Sequence, residues 1–117
     1  MKIGEIAGIL DAELLAGEQN VDVEINSACG ADLMSDVMAY VRDNVLLLTG
    51  LVNPQVIRTA EMMDIKAVAF VRGKNPGDCI VNLAREKGIT VMTTKHPMFT
   101  ACGLLYRGGL GGKGVEN

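Results

Sequence analysis

Residues 45–60 read Val-Leu-Leu-Leu-Thr-Gly-Leu-Val-Asn-Pro-Gln-Val-Ile-Arg-Thr-Ala, and this stretch decides the fold. Its first five residues are apolar or β-branched without alternation, the pattern of a strand covered on both faces, and so of a parallel sheet. A short loop, 49–53, follows. Asn53 before Pro54 is a helix start: asparagine caps the free amides, and proline in the first turn gives up an N–H that has no helical partner. Val56, Ile57, Ala60 and Met63 then recur at the spacing of one apolar helix face. One strand, one loop and one helix fit into about twenty residues.

The unit repeats. Strand-like pentads begin 22 residues apart, at 23–27, 45–49, 67–71 and 89–93, and such a period outranks any local signal. Asn75 before Pro76 and His96 before Pro97 repeat the helix start, so Pro76 is expected in the first turn of its helix, as Pro54 is. The apolar faces are Ile80, Leu83 and Ala84, then Met98, Cys102 and Leu105. Gly88 stands where a helix-ending glycine belongs. In the first unit Gly30 and Asp32 replace the proline start, with Leu33, Val37 and Val41 as the helical face. Ahead of the repeat, Ile3, Ile6, Ala7 and Leu10 mark a short helix and 13–16 a short strand. A 22-residue period also suits a leucine-rich solenoid, but its Leu-x-x-Leu-x-Leu and Asn pattern is missing and each unit carries a full helix. The expectation is a single layered α/β domain with a mainly parallel sheet built from 22-residue strand–helix units. It spans 1–107 and is followed by a flexible glycine-rich tail, 108–117, because glycine has the most freedom to lose on ordering.

Composition sets limits. A chain of 117 residues, 49% hydrophobic and 21% charged, suits one globular domain with a core that needs neither metal nor disulfides. No apolar run approaches ~18 residues and the first residues lack a signal peptide's pattern, so a cytoplasmic protein without membrane attachment is expected. The three cysteines form no closed disulfide framework. Four aromatic residues, a net charge of -3 and a pI near 5.0 argue against nucleic-acid binding. Charge is uneven: residues 1–43 hold nine acids and two bases, whereas 44–117 hold five acids and nine bases. That asymmetry serves packing, a dimer contact or anion capture equally well.

Ligands of an open parallel sheet bind beyond the carboxyl ends of the strands, at loops leading into helix N-termini. Those loops here are 27–32, 49–53, 72–75 and 94–96. Thr49, Gly50, Asn53, Arg72, Lys74, Thr94, Lys95 and His96 are the candidate ligand-binding residues. Three cations beside helix N-termini favour a phosphate or carboxylate, and Arg72, Lys74 and Lys95 are expected to converge with Thr49 and Thr94 at one sheet edge. Taken singly, each hydroxyl or asparagine also reads as a plain helix cap and each cation as a solvated charge. No phosphate loop, no dinucleotide glycine fingerprint and no Cys-x-x-Cys pair occurs, so no catalytic residues, cofactor or metal are assigned. Cys29, before an expected helix N-terminus, is the one candidate reactive thiol, weighed against a small buried residue.

The stretch Ser27-Ala28-Cys29-Gly30-Ala31-Asp32-Leu33-Met34-Ser35-Asp36, together with Leu48-Thr49-Gly50-Leu51-Val52-Asn53-Pro54, Val71-Arg72-Gly73-Lys74 and Thr94-Lys95-His96-Pro97-Met98, resembles a stand-alone DRTGG-domain protein over nearly the whole chain. The resemblance implies a fold like the N-terminal, non-catalytic domain of HPr kinase/phosphorylase and of the Mur ligases. It further implies a regulatory or interaction role, homodimerisation, and a small anionic metabolite or nucleotide as ligand. Related domains sit inside phosphotransacetylases and beside CBS domains in regulatory pyrophosphatases. The Asp-Arg-Thr-Gly-Gly string itself is missing; the matching strand end reads Thr49-Gly50-Leu51-Val52-Asn53, so no role of that Asp and Arg transfers. Association of such proteins with iron-only hydrogenase gene sets implies an alternative, a redox or metabolic accessory protein using Cys29.

Overall fold

The structure, a computed structural model, describes residues 1–40 and 44–111. Its elements follow the chain as α1 (Ile3–Leu10), β1 (Glu13–Ala16), β2 (Ser27–Gly30), α2 (Met34–Tyr40), β3 (Val45–Thr49), α3 (Pro54–Met62), β4 (Ala67–Phe70), α4 (Asp78–Lys87), β5 (Thr90–Thr93) and α5 (Met98–Arg107). The strands form one sheet in the order β1-β5-β4-β3-β2. β2 to β5 are parallel and β1 pairs antiparallel with β5.

Because β2 to β5 advance across the sheet in one direction, right-handed crossovers put α2, α3 and α4 on the same face. Val37, Val56, Ile57, Ala60, Ile80 and Ala84 from these helices are buried there with Leu47, Val68, Phe70 and Val91. α1 and α5 cover the other face, where Ile3, Ile6, Leu10, Ala101 and Leu105 meet Leu46, Leu48, Ala67, Ala69 and Met92. Successive residues of β3 and β4 alternate between these two cores, so both strands are buried throughout. The result is a three-layer sandwich, the α/β architecture that the repeat implies.

Several expectations shift. The first strand is Ser27–Gly30 instead of 23–27. The backbone just upstream is engaged elsewhere: Ile3 N–H donates to the Val23 carbonyl and Ile25 N–H to that of Met1, so pairing with β3 opens only at Ser27. Cys29 consequently lies in a strand and not in a loop. Leu33 is 61% exposed and Met34 takes its place in the core beside Val37; Val41 lies outside the described residues. Pro54 begins α3 as expected, with the Asn53 side chain accepting from Gln55 N–H. Pro76 does not enter the first turn of α4. Asn75 spends its Oδ1 on Gly77 N–H, and Gly77, at φ 85, turns the chain so that the helix begins at Asp78. Pro97 likewise stands just before α5. Gly88 ends α4 in the left-handed conformation. Past α5 the chain stays packed as far as Gly111, beyond the expected tail boundary: Leu110 is buried and Ala28 N–H donates to the Gly111 carbonyl. The rest of that tail, 112–117, lies outside the described residues.

Candidate functional site

The carboxyl ends of β4 and β5 are stitched together by backbone bonds. Arg72 and Gly73 have consecutive positive φ values, 61° and 67°, and Lys74 N–H returns to the Val71 carbonyl, as in a turn that needs left-handed residues at both central positions. Arg72 N–H donates to the His96 carbonyl and Gly73 N–H to that of Thr94, both at 2.8 Å. The Thr93 hydroxyl donates to the Lys74 carbonyl at 2.7 Å. These bonds put Lys74 and Lys95, on different loops, along one rim.

The opposite wall comes from the start of the chain. Since β1 is antiparallel to β5, its first residue, Glu13, stands opposite Thr93, and the α1–β1 turn overhangs the same end of the sheet. The buried Thr94 hydroxyl donates to the Leu10 carbonyl at 2.7 Å, fixing the end of α1 to the β5 loop, and accepts from His96 N–H. Between the walls lies a cavity of about 550 Å³. Leu10, Asp11, Glu13 and Leu15 line one side, and Gly73, Lys74, Asn75, Thr93, Thr94, Lys95 and His96 the other. Among the described residues, ion pairs form elsewhere, and none joins Lys74 or Lys95 to Asp11 or Glu13.

The expected cluster is thus divided. Thr94, Lys74, Lys95 and His96 share the cavity; Thr49, Gly50, Asn53 and Arg72 do not line it. Thr49 is buried, donates its hydroxyl to Asp32 Oδ1 at 3.0 Å and accepts from Leu51 N–H at 3.1 Å. Gly50 N–H donates to the same Asp32 oxygen at 2.8 Å. The Arg72 guanidinium lies over Gly50, its nearest nitrogen 2.5 Å from where a Cβ there would stand. Asn53 is the α3 cap. Reading the loops residue by residue missed Asp11, Glu13 and Leu15. Their signal was the short strand at 13–16, but its neighbour in the sheet depends on a long-range pairing that no local pattern reports.

Cys29 is half-buried, and its thiol is pushed above its ordinary value by burial first, then by Cys102 and Asp36. Burial also raises the Cys102 thiol. Both shifts favour the protonated thiol, the reverse of what an activated nucleophile needs. Among the described residues no group of three or more His, Cys, Asp or Glu side chains is placed to hold a metal ion, and no helix is long and apolar enough to cross a membrane.

Comparison with known proteins agrees with the fold. The family model described as the DRTGG domain matches residues 5–107. A search of curated proteins finds no match. Among solved structures, the CBS and DRTGG domains of the regulatory region of Clostridium perfringens pyrophosphatase, complexed with the activator diadenosine tetraphosphate, superpose with a TM-score of 0.74 at 21% identity. The match covers 89% of this chain and 45% of that one, and at this identity it is a likeness of fold.

Proposed function

The chain belongs to the DRTGG-domain family, and on that premise we propose that it is a non-catalytic regulatory module that takes up a small anionic metabolite or nucleotide in the cavity beyond β4 and β5. One observation carries the reading: Lys74 and Lys95 line one side of a cavity of about 550 Å³ and pair with neither carboxylate of the other side. Two ammonium groups without an ion pair among the described residues, on a stitched rim, are suited to charge-assisted bonds with phosphate or carboxylate oxygens. The fold neighbour's regulatory region is complexed with a nucleotide activator, which supports a phosphate-bearing ligand. Thr49, Gly50, Asn53 and Arg72 support the adjoining loop and do not touch the ligand in this reading. Homodimerisation belongs to the same proposal. Phe99 and Tyr106, 88% and 62% exposed, are seven residues apart on α5 and give it one apolar face for a second copy. Three free cysteines suit the reducing cytoplasm.

A thermal-shift screen of nucleotides, acyl phosphates and sugar phosphates tests the site. A true ligand at 100 times its Kd stabilises by about 2.7 kcal/mol, and the Lys74→Ala, Lys95→Ala double variant loses that gain. An unchanged gain in the variant refutes the reading. Light scattering at micromolar concentration tests the dimer; a monomer refutes that part.

A further inference from the structure

The cavity carries charge of both signs, and the signs face each other. Lys74 and Lys95 stand on the β4 and β5 side, while Asp11 and Glu13 stand on the α1–β1 side, with Leu15 adding an apolar strip. All four charged side chains are exposed to the cavity mouth and none is paired with another. A bare oxyanion makes poor use of such a place. It satisfies the two lysines, leaves two carboxylates facing it across the gap, and fills little of a volume within the range of sites for larger organic ligands. The ligand that uses both walls has an anionic end and, toward the opposite wall, hydrogen-bond donors. A ribose with its vicinal hydroxyls meets the second need, because carboxylates accept hydrogen bonds from ribose hydroxyls in nucleotide sites built on other α/β sheets.

We propose that the cavity selects a ribonucleoside phosphate, with Lys74 and Lys95 on the phosphate and Asp11 and Glu13 accepting from the ribose hydroxyls. The proposal rests on the reading of this cavity as an anion site and adds the specificity residues to it. It makes the two walls act oppositely on two kinds of ligand: the carboxylates attract a ribonucleotide and repel a plain phosphate.

Calorimetric titration separates the possibilities. ADP, GDP, CDP and UDP, the 2′,3′-dideoxy form of each, and inorganic pyrophosphate are titrated into the wild-type chain, the Asp11→Asn, Glu13→Gln variant and the Lys74→Ala, Lys95→Ala variant. The expected result is that at least one ribonucleoside diphosphate binds about tenfold more tightly than its dideoxy form, the size of one charge-assisted hydrogen bond. The carboxamide variant loses that preference and binds pyrophosphate more tightly than the wild type does. Equal affinity for ribose and dideoxy forms overturns the proposal, as does a carboxamide variant that shifts both ligand classes in the same direction or neither. Either result leaves the anion site standing. Binding that survives removal of both lysines overturns the anion-site reading and this proposal with it, whereas no binding of any of these compounds overturns this proposal alone.

Discussion

The loop after β3 and the loops after β4 and β5 draw on the same kinds of residue and use them in opposite ways. After β3, side chains make the structure: Asp32 receives Thr49 and Gly50, Thr49 receives Leu51, and Asn53 receives Gln55. After β4 and β5, much of the stitching is backbone to backbone, through Arg72 to His96 and Gly73 to Thr94. Among the described residues the side chains of Lys74 and Lys95 then form no ion pair. A polar group already spent inside a loop costs free energy to redirect, whereas a leftover ammonium is free to meet a ligand. The comparison therefore gives the loop after β3 a structural task and, under the proposed function, leaves recognition to the other two, with Thr93 and Thr94 as the structural exceptions on that side.

Four substitutions test this division, in falling order of expected effect. Thr94→Val removes a buried hydroxyl that donates to Leu10 and accepts from His96, and should cost about 2 kcal/mol, or about 8 °C in melting temperature. Asp32→Ala takes the acceptor from both Thr49 and Gly50 and should cost about 1.5 kcal/mol in urea unfolding; faster exchange of the Gly50 amide would locate the change. Asn53→Ala deletes the α3 cap at about 1 kcal/mol, measured the same way. Lys74→Ala should shift stability by less than about 0.5 kcal/mol while weakening any phosphate ligand. A Lys74 variant as unstable as the Asp32 variant would erase the distinction between the loops.

What the sequence made legible follows the same physics. β3, β4 and β5 lie between two cores, so burial on both faces wrote runs of apolar or β-branched residues that can be read without knowing the neighbours. β2 is an edge strand with half-buried residues, and Val23 and Ile25, the apolar residues that looked like its beginning, belong to a pairing with Met1 and Ile3. Asn53 and Asn75 precede proline alike, yet one caps a helix and the other a turn, because Gly77 supplies a positive-φ step that the β3–α3 unit lacks. At the site, Lys74, Lys95 and His96 were legible as loop cations and a loop histidine. Asp11 and Glu13 were not, since their place depends on β1 reaching β5 across most of the chain.

That reach makes the docking of β1 the closure of a long loop. The strand–helix units from β2 to β5 close on near neighbours in the chain, but the bond from Thr94 to Leu10 spans 84 residues. Contacts of such separation must overcome the entropy of closing a long loop before they contribute. The cavity is completed only when the first segment of the chain docks beside the last strand, so a chain folded from β2 to β5 alone has its lysine rim and no opposite wall. Under the proposed function, occupancy of the cavity would report the finished fold, and a ligand bridging both walls would act as a clasp between the two ends of the domain.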